Sequence, residues 1–156
     1  MNYKAPFYAV SLSLYKALKA LSGKKDMEWF DASVPVFEIE DYFRHQAEFD
    51  YGIIGAAKAD CRPNDDVVLW AVSTDMEVYS NYKGRKRIAE RLETLLNFLS
   101  SQEGWDTLQD ILQANGFHLW RVTVNNMRIN LPVYSEKGIW QSGAASVVLE
   151  IAQLEK

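Results

Sequence analysis

Hydrophobic and polar positions are most legible over residues 68–99. Val68, Trp70, Val72, Thr74, Met76 and Val78 form one nearly apolar face at period two, while the other face turns polar through Ser73, Asp75 and Glu77. That alternation predicts a sheet strand with one face on a core. Ser80 and Asn81, residue types that cap helices, end the run. The apolar positions then resume at Ile88, Leu92, Leu95, Leu96 and Leu99, the stripe of an amphipathic helix. A strand feeding directly into such a helix predicts that the helix lies back on its own sheet.

The same reading extends to the rest of the chain. Residues 6–22 predict a first helix, with Pro6 in its opening turn, Phe7, Val10, Leu14, Leu18 and Leu21 on one stripe, and Gly23 as its stop. Lys24-Lys25-Asp26 reads as a polar turn, and Trp29-Phe30 as packing beside the helix end. Residues 34–41 read as a strand that Pro35 confines to an edge or a strand start. After a polar, aromatic connection, residues 51–57 read as a second short strand, the two forming a hairpin, and residues 61–66 as a turn. A further helix fits 105–114, stopped by Asn115-Gly116, and two closing strands fit 117–129 and 144–154 around a 14-residue connection, 130–143. The order α, β, β, β, α, α, β, β makes one α+β domain over residues 1–156, a mainly antiparallel sheet with its helices gathered on one face.

Composition refines this picture. Hydrophobic residues make up 48% and charged residues 24% of the 156, which fits a folded domain and argues against disorder. Five Trp, eight Tyr and seven Phe exceed what a core of this size absorbs, so oligomerisation is expected. The single Cys61 rules out an intrachain disulfide and fits a reducing cytoplasm. The N-terminus enters an amphipathic pattern at once, with no signal-like segment or long apolar span, so the expectation is a soluble protein without membrane contact. A net charge of −4 disfavours non-specific DNA binding by the molecule as a whole.

The stretch VSTDMEVYSNYKGRK at 72–86, its leucine-rich helix, and Gly138-Ile-Trp-Gln before the closing strand together resemble the tail terminator, or tail completion, proteins of long-tailed bacteriophages. Members of that family combine an N-terminal amphipathic helix, a sheet hairpin, a long strand running into the central helix, and closing strands joined by a loop. The resemblance covers almost the whole chain; a longer N-terminal hairpin and an extra helix near Trp105 depart from it. It implies a structural virion protein without catalysis or cofactor, placed at the head-proximal end of the tail and assembled in the host cytoplasm. Such a protein forms a ring, expected to be a hexamer, that ends tail-tube polymerisation. It meets the tail tube protein and a head-tail connector or neck protein, and DNA passes through without specific binding. The alternatives are another neck or tail-completion component, or a small cytosolic enzyme or nucleic-acid-binding domain.

Candidate chemistry is sparse. Cys61 with His45 or His118 would be a nucleophile and base, but neither histidine has a catalytic context, so a turn cysteine is the better reading. Asp60, Asn64, Asp65 and Asp66 lack the spacing of a calcium loop. Glu38, Glu40 and Asp41 read as an outward acidic strand in preference to a nuclease site, and Lys83-Gly84-Arg85 lacks the spacing of a phosphate loop. The charges themselves are the strongest signal. Lys83, Arg85, Lys86, Arg87 and Arg91 against Glu90 give +4 over nine residues, whereas Glu38, Glu40, Asp41, Glu48 and Asp50 against Arg44 give −4 over residues 38–50. Opposite patches on one chain suit a head-to-tail ring, which makes these residues the expected protomer interface. Leu131, Val133, Tyr134, Ile139 and Trp140 crowd the 130–143 connection and are the expected contact with tail tube or neck.

Overall fold

The long strand read from residue 68 is β3 (Val67–Ser80), the middle of a six-stranded sheet in a computed structural model that describes residues 2–22, 27–64, 66–136 and 138–154. Its even positions Val68, Val72, Thr74, Met76 and Val78 are buried, as the alternation requires, and Trp70 packs half-buried against the same core. The chain runs α1 (Phe7–Leu18), β1 (Met27–Asp31), α2 (Val36–Tyr42), β2 (Asp50–Asn64), β3, α3 (Lys86–Leu99), α4 (Gln102–Ala114), β4 (Phe117–Ile129), β5 (Val133–Ser135) and β6 (Gly138–Gln153), with a short 3-10 turn over Lys19–Leu21 after α1. The sheet order is β1-β2-β3-β6-β4, with β5 beside β6. Only β1 and β2 pair in parallel among the paired strands described. The class is α+β with a mixed, mostly antiparallel sheet, as expected; several elements differ from the reading above.

The largest difference lies at 34–41, where residues from Val36 on belong to the helix α2 and none to a strand. Pro35 stands immediately before it in an extended conformation, and its carbonyl accepts from the Glu38 and Ile39 amides. A proline at a helix start loses nothing, whereas in a strand it breaks the ladder. Ile39 and Phe43, four apart, form the buried stripe. Glu38 and Asp41 are consequently exposed on a helix. With no strand there, β2 takes its neighbours from elsewhere: β1 in parallel, with Trp29 opposite Gly52, and β3 in a long antiparallel hairpin that extends to Asn64. The expected turn at 61–66 shrinks accordingly. The far half of β2 lies beyond the reach of β1, an edge where Pro63 is tolerated. Gly23 and the polar turn at 24–26 lie outside the described residues.

The main core lies between one sheet face and α1, α3 and α4. Val10, Leu14 and Leu18 of α1, Ile88, Leu92, Leu95 and Leu99 of α3, and Leu108 and Leu112 of α4 meet Val72, Met76, Val78, Val147, Leu149 and Ile151. Gly143 of β6 lets α3 approach, since a Cβ there would fall 2.8 Å from Ile88 Cγ2 and 2.9 Å from the Arg128 carbonyl. The helices are not all on one face. Ile39 and Phe43 of α2 join Phe49, Tyr51, Phe30, Tyr79 and Trp140 in a second cluster. Register places Tyr51 opposite Tyr79, out of phase with the core-facing Val78, so this cluster covers the other face at one end of the sheet.

The 130–143 connection is mostly ordered as a hairpin arm. Val133, Tyr134 and Ser135 of β5 pair with Trp140, Ile139 and Gly138 of β6.

Candidate functional site

Two groups of residues at one end of the sheet carry the chemistry. The first is a buried ion-pair cluster on the helix side. Asp50, the first residue of β2, lies opposite Ser80, the last of β3, and is fully buried. Arg87 and Arg91, one turn apart on α3, both reach it: Arg87 Nε donates to Asp50 Oδ2 at 3.0 Å and Arg91 Nε to the same oxygen at 2.7 Å. Arg87 Nη1 also contacts Glu48 Oε2 at 3.3 Å, and its guanidinium lies 5.5 Å from the centre of the Tyr82 ring. Asp50 Oδ1 is buried without a hydrogen-bond partner. A buried carboxylate is tolerated only when compensated, and here two guanidinium groups from the helix compensate it.

Of the nine charges expected at a protomer boundary, Arg87, Arg91, Glu48 and Asp50 therefore meet within one chain. These opposite charges pair inside the chain because Asp50, set opposite Ser80, falls on the helix face of β2. Asn81 likewise is no helix cap. Its Oδ1 accepts from the Phe49 amide at 2.8 Å and its Nδ2 donates to the Ala47 carbonyl at 3.0 Å, tying the segment before β2 to the end of β3. No side chain caps the start of α3.

The charges left outside that cluster form two exposed sets. Lys83 and Arg85 on the turn between β3 and α3, and Lys86 at the first position of α3, are exposed, with no ion pair among the described residues. Glu38 and Asp41 are exposed on α2, where Asp41 meets Arg44 at 3.8 Å.

The second group is an aromatic groove on the opposite face, about 260 Å³ in volume, lined by Val36, Glu40, Tyr51, Tyr79, Val133, Trp140 and Ser142. Tyr51 and Tyr79 stack across neighbouring strands at 5.0 Å, and Trp140 stands edge-on to Tyr51 at 5.8 Å. Burial, then the neighbouring Tyr79, Glu40 and Glu77, pushes the Tyr51 phenol up to about 12. Burial and then Glu77 raise Tyr79, whose hydroxyl donates to Glu77 Oε2 at 3.3 Å. Both phenols stay protonated beside carboxylates. Of the residues expected to touch tail or neck, Leu131 (78% exposed), Val133 and Tyr134 (73%) are out in solvent, Ile139 is half-buried, and Trp140 packs on Phe49 and Tyr51 of its own chain.

A third depression of about 380 Å³, which the sequence did not announce, draws Arg62, Leu69, Trp70, Trp120, Arg121 and Glu150 from four strands. Arg62 and Arg121 flank Glu150 at 3.5 and 3.7 Å. Cys61 is exposed on β2, while His45 and His118 contact Arg44 and Gln109. Among the described residues no three His, Cys, Asp or Glu side chains converge as a metal site, and no helix is long and apolar enough to cross a membrane.

Compared with protein-family models the chain matches none, and no curated protein matches it either.

Proposed function

We propose that this chain is a structural protein of a long-tailed phage virion, a tail terminator that assembles as a ring, expected to be a hexamer, on the head-proximal end of the tail tube. The observation that carries the reading is the hairpin arm, whose β5 side presents Leu131, Val133 and Tyr134 to solvent, with Val133 sharing a groove with the exposed Val36 of α2. Large apolar side chains grouped in this way mark a surface that another protein covers. The element order adds support: an amphipathic first helix, a long strand running into α3, and closing strands joined by an arm are what the resemblance implies. In this reading the ring stops tube polymerisation, its arm meets the tail tube or a neck protein, and DNA passes through without specific contacts. The reading includes no catalysis and no cofactor.

Electron microscopy of the purified chain, alone and added to polymerising tail tube protein, tests the proposal. Closed rings that cap the tubes and limit their length are the expected result. A monomer that leaves tube length unchanged would overturn it. Tight duplex binding with a steep salt slope would favour a nucleic-acid role instead.

A further inference from the structure

We infer that the aromatic groove between α2 and the hairpin arm receives the basic turn at 83–86 of a second copy of this chain. The inference rests on the ring reading and names the contact that closes it. The turn is built to project. Gly84 adopts φ +101°, and a Cβ on it would meet nothing within 4 Å. Lys83, Arg85 and Lys86 around it are exposed, and they sit at the N-terminal end of α3, where the helix dipole disfavours positive charge. Arg87, the next residue, and Arg91, one turn further, are engaged with Asp50, so the positive charge of this segment without an ion pair among the described residues is confined to 83–86.

The groove has the complementary character. Its floor is the stacked Tyr51–Tyr79 pair with Trp140 edge-on, Glu40 lines it, and the Tyr79 hydroxyl donates to Glu77 Oε2 at 3.3 Å. Glu38 and Asp41, the latter 3.8 Å from Arg44, add exposed negative charge on the same helix. Aromatic faces beside carboxylates attract ammonium and guanidinium groups. Val36 and Val133 at the groove mouth can cover the aliphatic stems of such side chains.

Both features lie at the same end of the sheet but on opposite faces. Tyr79 belongs to the groove face, Ser80 to the helix face, and Asn81 is tied to Ala47 and Phe49. The turn is thus held on the far side of the sheet from its own groove, and only another copy can fill that groove with it. Two different surfaces meeting in this way make a heterologous contact, which repeats from copy to copy until a ring closes.

Two surface variants of the full chain test the contact by native mass spectrometry and sedimentation. One carries Lys83→Glu, Arg85→Glu and Lys86→Glu; the other carries Val36→Lys, Glu38→Lys and Asp41→Lys. Each alone is expected to self-associate at least about tenfold more weakly than wild type, with cooperative melting retained. Mixed one to one they are expected to recover association, because the intact groove of one meets the intact turn of the other, and the reversed turn meets the reversed α2 surface again with opposite charge. If the reversed turn impairs folding, Lys83→Gln, Arg85→Gln and Lys86→Gln replaces it. Rings that persist in both variants would overturn the contact and leave the ring reading standing, as would two monomeric variants that fail to pair when mixed. A wild-type chain that stays monomeric would overturn both.

Discussion

Asp50 shows how one residue joins two elements. Its carboxylate is fully buried, and Arg87 and Arg91 approach it from α3. Removing one partner of a buried pair leaves the other charge without compensation, at a cost of about 3–5 kcal/mol. Asp50→Ala is expected to lose stability on that scale in urea unfolding, and Arg91→Ala to move in the same direction. Asp50→Leu combined with Arg87→Met and Arg91→Met removes every charge together and is expected to lose less than Asp50→Ala alone. Tyr51 gives a second prediction. Its phenol, ordinarily ionising at 10.0, is pushed up to about 12 in the fold, mainly by burial. The folded chain therefore holds that proton more tightly than the unfolded chain does. The associated stability is fully present below about pH 10 and declines as pH rises towards about 12. Melting temperature is expected to fall across that window, and Tyr51→Phe to flatten the slope.

At the scale of elements, the hairpin arm divides into two kinds of apolar residue. Trp140 is half-buried against Phe49 and Tyr51, whereas Leu131, Val133 and Tyr134 face solvent. Changing those three to Ser is expected to leave stability within about 0.5 kcal/mol while abolishing attachment to tail tubes in a pelleting assay. Trp140→Ala is expected to cost about 3 kcal/mol or more, because it opens the aromatic cluster. A triple variant that melts like wild type and still attaches would remove the arm from the tail contact. The helix α2 explains why part of this site was hidden in the sequence. Val34, Val36 and Ile39 around Pro35 look like an edge strand within residues 34–41, and the helical partner of Ile39 is Phe43, just past that window. Once 36–42 is a helix, the acids at 38 and 41 become an exposed helix surface beside an aromatic groove.

Across the whole molecule, part of the charge is paired inside the fold, at Asp50, and part stands exposed at 83–86 and on α2. If the turn at 83–86 meets α2 and the groove of the next copy, self-association weakens with salt, since the Debye length falls from about 10 Å at 0.1 M to about 3 Å at 1 M. Exposed pairs are worth about 0–1 kcal/mol each, so the effect becomes visible only through repetition around a ring. Sedimentation across that salt range is expected to show rings giving way to monomers, while the buried Asp50 cluster keeps each monomer folded; assembly that is indifferent to salt would point to an apolar contact instead. Elements whose periodicity is local are legible in the residues alone: the core face of β3, the stripes of α1, α3 and α4, and the closing strands. Burial of one apolar face forces that phase whatever the neighbours are. The parallel pairing of β1 with β2, the packing of α2 on the second sheet face and the charges that meet inside the chain emerge only in the folded molecule. Those outcomes depend on strand register and on contacts between residues far apart in sequence, such as Asp50 with Arg91 and Tyr51 with Trp140, which no local spacing encodes.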